Sequence, residues 1–493
     1  MTALLLLVLS ATVPDPVRVA SKTFTESVIL GELVSEVLQQ RGIPARHLRD
    51  LGGTRVVWDA LVRGDVDVYP EYTGTLAEEI FAGRVRPDAL GPALAAAGVE
   101  LGPALGFENG YALGMREDVA DRLGIRRISD LRAHPGLRFG FSSEFIDRAD
   151  GWRALQRAYG LPQSQVRGLE HELAYRGLRT GALDVVDLYS TDPEIQAERL
   201  RVLEDDRHHF SEYRAVLLVR ADLERRVPGS RAALELLRDR IDARVMIAMN
   251  ARARLDRVPE VKVAAEFLRS RLDGVAAGPA PEPPSRARRI LARLGEHLTL
   301  VAISLAMSLV VAIPLGVLAA RRRRIGQAVL AAVGVVQTIP SLALLVLMIP
   351  LLGIGTKPAI AALFLYGLLP IVRNTHAGLV GISPDLRESA DALGLPSMFR
   401  LLRVELPLAS PSILAGVKTS AVIAVGTATL GALVGAGGFG QPILTGIRLA
   451  DTSLLLEGAL PAAALALGME AAFDGLERVV VPRGLRIRPE EAR

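Results

Sequence analysis

Residues 297–320, 325–352, 358–380, 411–435 and 454–473 are five apolar stretches, each near the roughly 20 residues a helix needs to cross a hydrocarbon core. No feature limits the fold as strongly, because backbone polar groups surrounded by lipid must pair within their own segment, and helices achieve that. Five crossings put the two ends of this membrane part on opposite faces. Arg321, Arg322, Arg323 and Arg324 follow the first stretch at once, and such a cluster prefers the cytoplasm. The first crossing is therefore expected to run inward, with everything before it extracytoplasmic. Arg478, Arg483, Arg486 and Arg488 of the tail then fall inside, as the same rule prefers.

The chain of 493 residues is too long for one core, and its first half differs in kind from its second. Residues 17–275 mix charged and apolar positions, with short strand candidates at 17–20, 66–69, 111–115, 138–142, 185–189 and 215–219 alternating with helical stretches. That alternation predicts α/β layers with mainly parallel strands, and the length suits two lobes with a ligand between them. The expected division is residues 1–13 as a signal or weak membrane segment, 17–275 as the extracytoplasmic domain, 276–296 as a linker, 297–480 as an all-α membrane domain, and 481–493 as a cytoplasmic tail. Residues 3–9 resemble the apolar core of an export signal, with a buried strand as the other reading. The linker contains Gly278-Pro279-Ala280-Pro281-Glu282-Pro283-Pro284-Ser285, an extended tether by composition.

Several function classes are excluded or disfavoured. The chain has no Cys, so disulfides, thiolate metal sites and thiol catalysis are absent. Its four Lys (Lys22, Lys262, Lys357, Lys418) stand against 54 Arg, but no basic tract interleaved with aromatics suggests nucleic acid. No catalytic or metal-ligand constellation stands out among the seven His, and His208-His209 reads as a solvated pair. No cofactor or metal is expected. Within the spans, Arg373, Asn374 and His376 sit late enough in the third to snorkel to the inner interface. Thr427 and Thr429 in the fourth either bond back to their helix or line a path. Gly435, Gly437, Gly438 and Gly440 end that span as a loop.

Seven of the eight Tyr lie in the first half, and Tyr72, Tyr111, Tyr189 and Tyr213 each fall at or just beyond a strand candidate, where a cleft would be lined. A cage of aromatic faces suits a cation that cannot donate hydrogen bonds, each face contributing about 0.5–2 kcal/mol. The expected guest is a quaternary ammonium. Lys22, Arg148 and the hydroxyl of Thr75 would together hold a carboxylate through charge-assisted bonds, which makes the guest a betaine.

Glu388-Ser389-Ala390, Gly394 and Leu406-Pro407 form a polar loop between two apolar spans at the spacing Glu-x-Ala-x3-Gly-x11-Leu-Pro. A short helix over 385–393 would stop at Gly394 and restart after Leu395-Pro396. This loop resembles the one with which ABC importer permeases grip their ATPase. Lys22-Thr23-Phe24-Thr25-Glu26, Leu51-Gly52-Gly53-Thr54, the run from Asp67 through Tyr72 to Thr75, and Asp187-Leu188-Tyr189-Ser190-Thr191-Asp192 resemble the osmoprotectant-binding proteins for glycine betaine, proline betaine, carnitine and choline. Gln337-Thr338-Ile339-Pro340-Ser341 and Gly426-Thr427-Ala428-Thr429-Leu430 resemble their partner permeases.

The resemblance implies a two-lobed binding-protein domain fused ahead of a permease domain of about five helices in the cell membrane. Tyr72, Tyr111, Tyr189 and Tyr213 would form the ammonium cage, and Lys22, Thr75 and Arg148 would take the carboxylate. Ser27 stands where many relatives have Gln, and the binding domain precedes the permease where fused relatives usually place it after. No Gly-x4-Gly-Lys-Ser/Thr occurs, so the ATPase is expected on a separate subunit, with two copies of this chain in the assembly. Cargo alternatives are choline, carnitine and ergothioneine. A membrane-tethered sensor is the reading from another class, and the coupling loop argues against it.

Overall fold

Strand β1 (Val17–Ala20) is the first element of the computed structural model, which describes residues 15–86, 89–148, 150–169, 171–271, 285–449 and 451–481. The chain divides into two units, Met1–Glu282 and Pro283–Arg493. The expected export signal, residues 276–284 of the expected linker and nearly all of the tail lie outside the described residues.

The first unit holds two five-stranded sheets. In one, the order is β2-β1-β3-β10-β4, with β2 at Ala45–Leu48, β3 at Val68–Tyr72, β4 at Val99–Glu108 and β10 at Arg214–Arg220. The other runs β7-β6-β8-β5-β9, with β5 at Tyr111–Arg116, β6 at Phe139–Ser142, β7 at Val166–Leu169, β8 at Val185–Tyr189 and β9 at Leu200–Val202. Each sheet is mixed, which corrects the expectation of mainly parallel strands. β1 is parallel to β2 and β3, and β6 to β7 and β8, whereas β10 and β5 run antiparallel to both of their neighbours. The reason is connectivity. β5 and β10 are the first strands after each passage between sheets, at residues 109–110 and 203–213, and each enters its sheet reversed.

Helix α1 (Thr25–Gln40) is buried nearly all round, so its acidic residues need partners. Glu32 takes His47 Nδ1 at 2.6 Å and the guanidinium of Arg49. In the second lobe Phe139, Phe141, Phe145 and Trp152 pack ring on ring at 5.1–5.4 Å between β6 and the short helix α2 (Ser143–Asp147). Helices α3 (His171–Arg179) and α4 (Ala243–Arg254) flank the junction of the two lobes.

The second unit is helical. Among the described residues four helices are long and apolar enough to cross a membrane, and a fifth crossing arises if one bent pair counts as a single span. The first, α5 (Arg286–Arg321), starts well before residue 297, so residues 286–296 are helical rather than part of an extended linker. At 1.5 Å per residue it is about 54 Å long and outreaches a core of about 30 Å. The expected second span is α6 (Arg323–Thr338) and α7 (Ser341–Leu352), bent by 98°. Pro340 causes the break, because the residue before a proline is driven out of the helical region, and Ile339 is extended. The hydroxyl of Tyr366 donates to the Ile339 carbonyl that the break exposes.

α8 (Thr356–Val380) is the central helix, packed between α5 and α10 (Leu406–Thr427) through small residues. A Cβ on Gly416 would stand 2.7 Å from the Pro370 carbonyl oxygen, and one on Gly367 2.7 Å from Ser308 Oγ. Ser308 Oγ donates to the Phe364 carbonyl at 2.9 Å and Ser420 Oγ to that of Gly367 at 3.0 Å, joining the three helices. Thr429 Oγ1 bonds back to Gly426 O at 2.7 Å and Asn374 Nδ2 to Pro370 O at 2.8 Å. Gly435, Gly437 and Gly438 have φ of 76°, 81° and 76°, a left-handed turn that leads into α11 (Gly440–Arg448) and then α12 (Thr452–Val480).

Candidate ligand-binding site

Tyr72 ends β3, Tyr111 opens β5, Tyr189 ends β8 and Tyr213 stands just before β10. Antiparallel register sets Tyr111 opposite Tyr189, with ring centroids 5.0 Å apart and hydroxyls at 3.4 Å. Tyr213 meets Tyr111 edge-on at 5.9 Å and lies over Gly74, where a Cβ would come within 2.7 Å of the ring. Tyr72 reaches the cluster through Phe24, whose ring lies 6.3 Å from Tyr72 and 6.0 Å from Tyr189. The four tyrosines are thus brought together from both lobes. Phe24 is the bridge that the tyrosine count missed, although it stands in the same motif as Lys22.

The expected carboxylate holders arrive already partnered. Lys22 Nζ makes a 2.6 Å ion pair with Glu71 and lies 3.4 Å from Thr54 Oγ1. Arg148 forms a fork with Asp150 at 2.8 and 2.9 Å and reaches Glu79 of the other lobe at 3.1 Å. Tyr213 donates its hydroxyl to Asp150. Thr75 is buried in the turn Thr73–Thr75 and has no hydrogen bond to Lys22 or Arg148 among the described residues. The physical reason is burial: a cation 5–6% exposed is costly unless a carboxylate compensates it. Acidic groups crowd the site as a result. Burial, then the like charge of Glu144, raises the Glu79 carboxyl above its usual range against Arg148 and Lys22.

Both cations lie over the tyrosine faces. Lys22 Nζ stands 5.4 Å from the Phe24 centroid and 5.3 Å from that of Tyr72, and the Arg148 guanidinium 5.0 Å from Tyr111 and 5.8 Å from Tyr213. Burial keeps the phenols of Tyr72, Tyr111 and Tyr189 protonated well past their ordinary range.

A cavity of about 190 Å³ adjoins this cluster between the lobes, lined among others by Thr23, Phe24, Glu26, Ser143, His171 and Tyr189. Of the seven expected ligand residues only Tyr189 lines it. The His171 ring packs tilted against Tyr189 at 4.4 Å, and its Nε2 lies 2.9 Å from Asp192. Burial alone would push the imidazole down, but Asp192 and Asp187 carry it well above its ordinary value. Arg254 of α4 pairs with Asp192 at 2.8 Å and Glu194 at 3.0 Å, closing the lobe junction from the first lobe. His209, expected to be solvated, instead places Nε2 2.9 Å from the carbonyl of Asp150.

The loop expected to meet an ATPase folds as α9 (Pro384–Ala392), Gly394 at φ 67° and a second short helix, Ser397–Arg400. Glu388, Ser389 and Gly394 are exposed, Ala390 is buried, and Leu406 and Pro407 are half-buried at the start of α10. Leu393, Met398, Phe399 and Leu402 project apolar side chains from the same hairpin, each at least half exposed.

A family model described as the substrate binding domain of ABC-type glycine betaine transport system matches residues 15–270. A second, for the binding-protein-dependent transport system inner membrane component, matches residues 312–485. The glycine betaine/carnitine/choline transport system permease protein OpuCB of Bacillus subtilis is 42% identical over 197 residues, 40% of this chain and 91% of that protein. The osmoprotectant import permease protein OsmW of Salmonella typhimurium is 42% identical over 196 residues, 39% of this chain and 91% of that protein. A crystal structure of a glycine betaine/carnitine/choline ABC transporter aligns over 52% of this chain and 98% of its own, at 27% identity and a TM-score of 0.45.

Proposed function

The chain belongs to the family of substrate-binding domains of ABC-type glycine betaine transport systems, joined here to an inner-membrane permease component, and on that premise we propose that it captures a betaine-type quaternary ammonium solute and imports it with energy from ATP. Its work is ABC transport of the glycine betaine, choline and carnitine class, with binding and permease parts in one polypeptide.

One observation carries the cargo reading: Tyr111 and Tyr213 from two lobes hold the Arg148 guanidinium over their faces, so the faces are set for a cation. A trimethylammonium group that displaces the guanidinium leaves Arg148 to turn toward the solute's carboxylate. Residues 17–275 would stand outside the cell and close on the solute. A separate ATPase would grip Glu388, Ser389, Ala390 and Gly394, and Leu406-Pro407 would carry the push into α10, in an assembly of two copies of this chain embedded in lipid. The exposed hairpin favours this importer over a sensor, which needs no ATPase contact.

A second cargo has its own support. Lys22 and Arg148 are neutralised by Glu71, Asp150 and Glu79, so choline, a cation without a carboxylate, asks neither of them for a new partner. Calorimetric titration of the full chain with glycine betaine, proline betaine, carnitine, ergothioneine and choline separates the readings. The betaine reading expects glycine betaine to bind more tightly than choline and Lys22→Ala to reduce that preference. Tyr72→Ala is expected to weaken every trimethylammonium ligand. Equal binding by wild type and both variants would remove this site assignment.

A further inference from the structure

Glu26, in the first turn of α1, is buried in the wall of the cavity between the lobes, and its carboxylate accepts hydrogen bonds from four separate segments. At Oε1 these are the Tyr72 hydroxyl at 2.5 Å and the Asn109 amide at 2.9 Å. Oε2 takes the Thr191 hydroxyl at 2.5 Å and the Asn250 amide at 2.8 Å. All four donors are neutral, and together they fill the four lone-pair sites of a carboxylate. Burial raises the Glu26 carboxyl above its ordinary value, and the four bonds oppose that rise.

The origins of the donors matter more than their number. Tyr72 is a first-lobe member of the aromatic cluster. Asn109 lies in the passage of two residues that carries the chain from β4 to β5, from one lobe to the other. Thr191 follows β8 in the second lobe, and Asn250 of α4 also donates to the Thr191 carbonyl, at 3.2 Å. One buried group therefore joins a cage ring, the hinge and both lobes. A glutamine would not replace it, because its amide nitrogen would face two donors where an acceptor is needed.

We propose that Glu26 is a positioning residue that couples the orientation of the Tyr72 ring to the angle between the lobes, so that ligand on the ring and closure of the cleft are one linked event. The ligand part rests on the function proposed above; the hinge part does not.

The test uses the full chain, which has no Cys of its own, so that two introduced cysteines label cleanly. Ala96 of the first lobe and Ser164 of the second are exposed, and A96C/S164C carries spin labels for an interlobe distance distribution. E26Q and T191V are each expected to broaden that distribution without ligand. Titrated with glycine betaine and choline, E26Q should lose about tenfold or more in affinity and Y72F less, with E26Q/Y72F no weaker than E26Q alone. Affinity losses that multiply in the double variant, or an unchanged distance distribution, overturn the proposal. If E26Q does not fold, T191V takes its place in the same cycle with Y72F: coupled losses support the link, and independent losses overturn it. Failure of the wild type to bind either ligand removes the functional reading, while the distance measurement still decides the hinge.

Discussion

Tyr111 carries more of the aromatic cluster than any of its neighbours: within 6 Å its ring meets Tyr189, Tyr213, Phe145 and the Arg148 guanidinium. Tyr111→Ala is expected to weaken trimethylammonium binding by about two orders of magnitude, and Tyr111→Phe, which keeps the face, by only a few-fold in calorimetry. His171 gives a pH signature. Its proton affinity is raised in the folded protein, so its contribution is full below its unfolded value of about 6.5 and fades as pH rises through the raised value. Asp192 sets the acid edge: burial works against its charge, but His171 and Arg254 hold it well below the usual range, so its contribution is full above its unfolded value of about 3.9 and is lost as pH falls from there through the lowered value. His171→Asn should therefore cost about 1–3 kcal/mol near neutrality, in a melt that converges with wild type at alkaline pH. Motifs and strand ends put Lys22, Tyr72 and Tyr189 among the expected ligand residues, and the fold sets Tyr72 and Tyr189 on either side of Phe24. Their partners were not legible, although Glu71 adjoins Tyr72 and Phe24 and Glu26 share the Lys22 motif. Which carboxylate faces a cation depends on how deeply the fold buries both, and spacing alone does not report that.

Secondary structure was legible wherever apolar patterning was strong. Five strand candidates, 17–20, 111–115, 138–142, 185–189 and 215–219, fall within a residue of β1, β5, β6, β8 and β10, and 66–69 overlaps β3. β2, β7 and β9 are short edge or near-edge strands with few buried side chains, and β4 contains Gly102, Pro103 and Gly106, so each lacks the alternation that marks a strand. The bend at Pro340 was likewise unread, because apolar content continues through it and only the backbone turns. Gly416 tests the close approach of α10 to α8. Gly416→Val sets a side chain against the Pro370 carbonyl and is expected to destabilise the membrane unit by about 1–3 kcal/mol, read as a lowered melting midpoint in detergent, with Gly416→Ala intermediate.

Taken whole, the chain joins an α/β unit, whose two sheets bring an aromatic cluster together, to a helical unit with an exposed apolar hairpin, and the two differ sharply in hydropathy. The boundary between them was harder to read, since Arg286, Arg289 and Arg293 extend the first helix with charged residues that hydropathy assigns to a tether. Arg289 and Arg286 instead pair with Glu457 of α12, at 2.8 and 3.4 Å. The central claim is that one polypeptide both captures the solute and admits it. Uptake of radiolabelled glycine betaine and of choline by cells of the natural host, with the gene deleted and then restored, tests this most directly. Restored wild type should take up at least one of them with energy from ATP. Tyr111→Ala should lose uptake together with binding, and Glu388→Ala should lose uptake while binding persists. Uptake of both that is indifferent to the deletion, or undiminished by Tyr111→Ala, would contradict the account.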